Sequence, residues 1–458
     1  MVATVAAAHD PSDFTVDWPA SVPLAFRIMG QSAPQVPRIL ILGAGYSGAY
    51  CAQKLERLLK HSEADITLID RNNFFVIYPL LVEAGTGSIE PRHTVVSIRS
   101  FLRRTNFLMA EVAAIDIPGS KVSCRIPRSG QQLDLPYDHL VIALGSATRM
   151  PPVPGLREFG LEMKSLSDAV GLRDRAIGML EAASANPDPA IRQALLHFVV
   201  VGGNFTGAEV AGEMEAFIRA AIKQYSNLSA KDFKVTLVER SGRILAALSE
   251  DLSAYATTKM RARGIDVRLN QSVTAMTADT VTYATGEVAP ARTVVWAAGI
   301  QPPHLLSTLP LPKDERGYLI CDRDLRIQGT TNIWGVGDSA VNKGADGTPY
   351  PATAQHGLRE GQHAAKNIAA TIRGQATTPC DIVNQGSLAA LGCRTGVADL
   401  FGIKISGFAA WWMWRTVYLL KMPGIARKLR IALDWTLELF FRRDYVQLGV
   451  HKLDRDGK

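Results

Sequence analysis

Cysteine is scarce in this chain: five residues in 458, namely Cys51, Cys124, Cys321, Cys380 and Cys393. The number is odd and the positions are scattered. There is no C-x-x-C pair and no metal-ligand spacing with histidine, which speaks against a disulfide framework, a metal site and a paired-thiol redox centre. Free thiols in a reducing compartment are expected. Long apolar runs are missing as well: no uninterrupted stretch approaches the roughly 20 residues of a spanning helix. Residues 1–37, rich in Ala, Pro, Ser and Val, lack the apolar core after a basic start that marks a leader, and they read as a mobile tail. Acidic residues are outnumbered 43 to 50, leaving a formal charge of +7 that suits nucleic acid, an anionic cofactor or a membrane surface. Where that charge sits has to decide among the three.

What the chain does have is glycine placed at the ends of apolar runs. Arg38-Ile39-Leu40-Ile41-Leu42 is a continuous run of buried parallel-strand type. It enters Gly43-Ala44-Gly45-Tyr46-Ser47-Gly48 directly, helical spacing follows over 49–60, and a second strand over 66–69 ends at Asp70. The same grammar returns with a strand over 196–201, the loop Gly202-Gly203-Asn204-Phe205-Thr206-Gly207, a helix from Ala208, and a strand over 234–238 ending at Glu239. Two such βαβ units about 160 residues apart form an internal repeat. The runs 140–146 and 293–299 copy one another, each a strand entering a glycine turn, at Gly145 and at Gly299.

A G-x-G-x-x-G between strand and helix has a physical purpose. The first glycine permits the turn, the second lets backbone approach a pyrophosphate, and the third lets helix and strand pack closely. The helix N-terminus beyond it offers unpaired N–H groups to phosphate. Asp70, 22 residues after Gly48, is placed to accept from an adenosine ribose. In the second loop Asn204 replaces the middle glycine; asparagine tolerates a left-handed backbone, although its side chain is expected to crowd the pyrophosphate. Glu239 favours a free ribose 2′-hydroxyl, hence NADH over NADPH, with the adjacent Arg240 pulling the other way. Asp338, in Gly337-Asp338-Ser339, reads either as a ligand contact at a strand end or as a helix N-cap.

Together with the segments Asn72-Asn73-Phe74-Phe75-Val76-Ile77-Tyr78-Pro79-Leu80-Leu81 and Pro351-Ala352-Thr353-Ala354-Gln355-His356, these loops make the chain resemble the type II NADH:quinone oxidoreductase family from about Arg38 to Phe441. That resemblance implies a two-dinucleotide fold, non-covalent FAD, hydride transfer from NADH to flavin, and reduction of a membrane quinone without proton pumping. Gly43, Gly45, Gly48, Asp70 and Asp338 match the family's FAD positions, with Tyr46 inside the same loop. Gly202, Gly203 and Glu239 match its NADH positions. Glu209 matches an acidic residue near nicotinamide and quinone, its bland alternative being a charge favoured by the helix dipole. The family's A-Q-x-x-x-Q segment is here Ala354-Gln355-His356-Gly357-Leu358-Arg359, so Gln355 and Arg359 are the quinone-side candidates. Ile382 and Gln385 stand where an aromatic residue and a lysine are usual.

Most of the excess charge is local. From Lys404 to Lys458 there are eleven basic and five acidic residues, +6 of the chain's +7. The same segment holds Phe408, Trp411, Trp412, Trp414, Tyr418, Trp435, Phe440 and Phe441. Aromatic residues beside basic ones suit a helix lying in the headgroup region of an anionic bilayer. A dimer helix, and with it a homodimer, or a core helix is the competing reading. No nucleic-acid module accompanies the charge.

The expected architecture is therefore α/β, with two Rossmann-like dinucleotide-binding domains and a C-terminal amphipathic helical segment at the membrane, peripheral on the cytoplasmic face. Its predicted parts are a tail (1–37), an FAD-binding domain in two pieces (38–155 and 326–375), an NADH-binding domain (156–325) and a quinone and membrane region (376–458). Two alternatives stay open. One is a sulfide oxidoreductase, which Cys124, Cys321 and Cys393 support poorly; the other is a nucleotide-sensing flavoprotein or one with a non-quinone acceptor.

Overall fold

The computed structural model describes residues 36–441 and 443–449, so the predicted N-terminal tail falls almost wholly outside the described residues, as do Arg442, Lys452, Arg455 and Lys458. In chain order, the elements that position the loops are β1 (Arg38–Leu42), α1 (Tyr46–Leu58), β2 (Asp65–Asp70), α2 (Leu81–Gly85), β3 (Asn106–Met109), β4 (His139–Ile142), β5 (Gly160–Glu162), β6 (His197–Val201), α3 (Phe205–Ala221), β7 (Lys234–Val238), β8 (Asp266–Arg268), β9 (Thr293–Trp296), β10 (Ile333–Gly335) and α4 (Ala354–Ile372). Beyond them come β11 (Ser387–Ala390), β12 (Gly396–Leu400), β13 (Ile403–Gly407), α5 (Phe408–Lys421) and α6 (Ile425–Phe440).

Two five-stranded parallel sheets carry the repeat. The first has the order β10-β4-β1-β2-β3 and the second β5-β9-β6-β7-β8, so each unit's first strand lies in the middle, beside its second strand and its closing strand. The glycine loops leave these central strands at the point where the chain order reverses, which is where doubly wound sheets bind ligands. One edge strand of each sheet comes from outside its unit: β10 follows the second unit, while β5 precedes it.

The unbroken apolar runs have a direct cause. Ile39 and Ile41 enter one core and Leu40 and Leu42 another, because a strand presents alternate side chains to opposite faces and both faces of this sheet are covered. Strand β6 repeats this, with Phe198 and Val200 in one core and Val199 and Val201 in another.

Helix α1 begins at Tyr46 rather than at residue 49, and α3 at Phe205 rather than Ala208. The third glycine of each loop is already inside the helix. The C-terminal region departs from the purely helical expectation: β11, β12 and β13 form a three-stranded antiparallel sheet ahead of α5 and α6. Its strands are short, and Gly386, Gly392, Gly396, Gly402 and Gly407 punctuate them, which hid the alternation. No helix among the described residues is long and apolar enough to cross a membrane.

Candidate functional site

The first loop is built around two close approaches. Gly43 has φ +95°, and a Cβ there would stand 2.3 Å from the Ala143 carbonyl oxygen, so only glycine fits. A Cβ on Gly48 would stand 1.8 Å from the Gly43 carbonyl oxygen, which lets α1 start hard against β1. Gly45 is different: its backbone is extended and a Cβ would meet nothing within 4 Å. The space beside it is open for a pyrophosphate at the helix N-terminus.

Asp70 ends β2 and ties the loop down. Its Oδ2 accepts from the Ala44 N–H at 2.7 Å and its Oδ1 from the Asn72 N–H at 2.7 Å. Each oxygen keeps a lone pair for ribose hydroxyls. Burial raises the Asp70 carboxyl above its ordinary value, against the pull of those two donors. Tyr46 is placed in an aromatic group, stacked on Tyr50 with centroids 6.3 Å apart and edge-on to Phe75. Gly145 turns out of β4 with φ +68° and open space around it.

Asp338 sits in a 3-10 turn, Gly337–Ser339, and is not a helix N-cap; Thr353 caps α4 instead. Ser146 Oγ donates to Asp338 Oδ2 at 3.0 Å and accepts from Lys164 Nζ at 2.9 Å, a short cation-to-carboxylate relay across the closing strands. The turn is held from beneath by Glu360, whose Oε2 accepts from the Gly337 N–H at 2.6 Å and from Asn342 Nδ2 at 2.8 Å. Burial pushes the Glu360 carboxyl up to about 7. Sequence reading passed over both Lys164 and Glu360. Glu360 had left a signal, a charged residue on the same helical face as Gly357, Gly361 and Ala364.

The second loop repeats the first. Gly202 has φ +110°, and a Cβ on Gly207 would stand 1.8 Å from the Gly202 carbonyl oxygen. Glu239 Oε2 accepts from the Gly203 N–H at 2.6 Å, and Oε1 from Ser241 N–H and Oγ, each at 2.7 Å. A Cβ on Gly203 would crowd Ile244 and Glu239. Asn204 does not use a left-handed backbone: φ is −73° and ψ −174°, in the same extended range as Gly45. Its side chain folds back as the N-cap of α3, accepting from the Gly207 N–H at 3.0 Å and donating to the Ala297 carbonyl at 2.7 Å. That replaces the expected crowding with a cap. Gly299, with φ +88°, follows β9, and its carbonyl accepts from the Arg149 N–H at 3.1 Å.

The remaining candidates meet along one segment, 382–390. Arg359 donates to the Val383 carbonyl, Gln355 Nε2 to Asn384 Oδ1 at 3.0 Å, and the Ala390 N–H to Glu209 Oε1 at 3.1 Å. Arg359 has no carboxylate partner among the described residues. Glu209 is 8% exposed, and burial pushes its carboxyl up to about 8, with the charges of Glu213 and Glu83 adding to the rise. Nearby Glu83 accepts from Trp435 Nε1 at 2.7 Å and from Arg415 at 3.4 Å, and burial holds it near 7. No local pattern marked Glu83, because its partners lie more than 300 residues away. Cys51, Cys124, Cys321 and Cys380 are buried and separate, and Cys393 is exposed; none is bonded to another.

Residues 37–361 match the pyridine nucleotide-disulphide oxidoreductase family, and residues 384–444 match the NDH2 C-terminal domain. The chain is 32% identical over 406 residues to the demethylphylloquinone reductase of Synechocystis sp., covering 87% of this chain and 95% of that protein. It is 28% identical over 425 residues to a type II NADH:quinone oxidoreductase of Mycobacterium tuberculosis, covering 90% and 89%. In fold it is similar to NDH2 of Plasmodium falciparum, solved in complex with NADH, with a TM-score of 0.81 at 20% identity over 90% of this chain and 100% of that one.

Proposed function

The chain belongs to the type II NADH:quinone oxidoreductase family, and from that premise we propose an FAD-dependent enzyme that oxidises NADH and reduces a membrane quinone. The observation that carries this reading is the duplicated loop: two glycine turns, each with its third glycine against the first and its strand-end acid on a loop N–H, in one chain. When bound, the flavin and the nicotinamide supply the two-electron chemistry; the protein supplies position and electrostatics.

The first loop, with Asp70, seats the pyrophosphate and ribose of FAD, and Gly145 keeps the strand end open beside them. Asp338, oriented by Ser146 and Lys164, holds the flavin side of the same molecule. The second loop seats NADH, Glu239 takes its 2′-hydroxyl, and Gly299 closes that unit. Glu209 is a neutral carboxyl at pH 7, placed to hold a proton beside the 382–390 segment. Gln355 orients the acceptor, and Arg359 brings a cation to a site where Gln385 has none.

Helices α5 and α6 lie on the bilayer surface at the cytoplasmic face. Their outer sides carry Phe408, Trp412 and Leu420, then Ile425, Leu429, Leu433 and Leu437 at four-residue spacing, all exposed. Their inner sides bury Trp411, Trp414, Ile431 and Trp435, so the core-helix and membrane-helix readings each describe one face.

Anaerobic stopped-flow mixing with NADH tests the proposal. Flavin absorbance should bleach, then recover on adding ubiquinone or menaquinone analogues. Absence of bleaching would defeat the NADH-dependent reading, and recovery with oxygen alone would defeat the quinone.

A further inference from the structure

Helix α6 begins beside α1, and a cleft of about 720 Å³ opens between α1, residues 96–104 and residues 423–430. Five of its lining residues are arginines: Arg57, Arg103, Arg104, Arg427 and Arg430. The one lining carboxylate, Glu56, is already engaged by the backbone N–H groups of Arg103 (3.0 Å), Arg104 (2.7 Å) and Thr105 (2.7 Å). Arg104 donates to the carbonyls of Glu56 and Leu59, and Arg427 to that of Pro423. Among the described residues no carboxylate pairs with any of the five guanidiniums.

Clustered like charges repel, and among the described residues the cleft sets only the Glu56 carboxylate against five guanidiniums. Burial and the neighbouring Arg430 both lower the Arg427 pKa, the direction expected for a cation short of counter-charge. Guanidinium forks match phosphate oxygens in geometry as well as in sign. On α6 the lining residues Ala426 and Arg430 each follow a residue of the outer stripe, Ile425 (77% exposed) and Leu429 (66%). A free phosphate would satisfy the charges and leave that stripe bare. A phospholipid satisfies both.

We propose that this cleft binds the phosphate headgroup of an anionic phospholipid, whose acyl chains run along Ile425, Leu429 and Leu433. The proposal rests on the membrane-facing reading of α5 and α6 and adds a defined site to it. It has a consequence that diffuse surface attraction lacks: Arg57 and Arg103 belong to α1 and to the 96–104 segment rather than to the membrane helix, yet they should matter more than a lysine on that helix outside the cleft.

The test is sedimentation of the full-length, flavin-loaded protein with vesicles of phosphatidylcholine, alone or with about one third phosphatidylglycerol. Wild type should prefer the anionic vesicles, and Arg57→Gln/Arg103→Gln should weaken that binding about tenfold. Lys428→Gln, on α6 but outside the cleft, should cost no more than about threefold. Leu429→Ser/Leu433→Ser should weaken binding to both vesicle types. If wild type sediments with neither, the membrane reading itself fails. If it prefers anionic vesicles and Lys428→Gln costs as much as the arginine pair, the cleft proposal fails while the membrane reading stands. Titration with inorganic phosphate separates the two sources of the anion: displacement from vesicles by low-millimolar phosphate would make this a free-anion site and overturn the lipid. Arg57 and Arg103 make no side-chain hydrogen bond among the described residues, and an unchanged melting temperature confirms that the variant is folded. Arg430, whose side chain likewise has no hydrogen-bond partner among the described residues, should repeat the effect as Arg430→Gln.

Discussion

The loop at Gly43 and the loop at Gly202 are two copies of one backbone that differ where a ligand comes closest. In both, the first glycine has positive φ and the third meets the first's carbonyl, so these positions are decided by the protein's own sterics. The middle position is not. Gly45 and Asn204 share an extended backbone that any residue adopts, and what separates them is the side chain. Asn204 turns its amide into the helix, onto Gly207 and Ala297. The middle glycine of such a motif thus marks space left for a ligand, and a residue that folds its side chain away into a cap can stand there.

That equivalence is easiest to break at the third glycine. Gly48→Ala and Gly207→Ala each drive a methyl to 1.8 Å from a carbonyl oxygen, which should cost more than about 3 kcal/mol locally. Gly48→Ala is expected to purify without flavin absorbance. Gly207→Ala should keep flavin and lose at least about 100-fold in kcat/KM for NADH. Retained NADH oxidation in Gly207→Ala would show that the second loop is not the NADH site.

Glu239→Gln should narrow the preference for NADH over NADPH by about tenfold, since one charged acceptor is worth roughly 1.5–3 kcal/mol before partial solvation. Steady-state kinetics with both nucleotides reads this, and an unchanged ratio would remove Glu239 from ribose recognition. A smaller effect concerns Glu209. Its folded carboxyl titrates at about 8, whereas the unfolded chain's does so near 4.3. Its contribution to stability is fully present below roughly 4.3 and is lost as pH rises through 8, by up to about 1.4 kcal/mol per pH unit. Glu209→Gln has no proton to lose. Its melting temperature should therefore fall less than that of wild type between pH 5 and 8; parallel curves would contradict the buried, protonated state. The smallest change is expected from Asn204→Gly, a few tenths of a kcal/mol in stability and less than about threefold in NADH affinity. A large gain in affinity would restore the crowding that the sequence had led one to expect.

Much of this was legible beforehand, for reasons that differ by region. Strands β1 and β7 run over the residues the sequence marks, because strands covered on both faces are predominantly apolar and here only the first residue, Arg38 or Lys234, and Thr236 are polar. The helices after the loops begin three residues earlier than their composition indicates. Glycine and aromatic residues read as loop, but close packing against the strand puts them inside the helix. The β11–β13 sheet and Glu360 were missed because antiparallel hairpins of four or five residues and one buried acid leave little periodic trace. Glu83 left none at all.

The sequence by itself determined the features that depend on backbone sterics and local hydrogen bonding: two glycine turns, an acid at the end of each following strand, and a C-terminal segment too interrupted by charge to span a bilayer. Tertiary structure decided what each group experiences once distant segments meet. It buried Glu209 and Glu83 until their carboxyls hold protons near neutral pH, brought residues 382–390 across Gln355, Arg359 and Glu209, and gathered arginines from positions 57, 103 and 427 around one cleft. Local pattern sets which conformation a residue adopts. Desolvation and the field of neighbouring charges depend on packing, and packing is long-range.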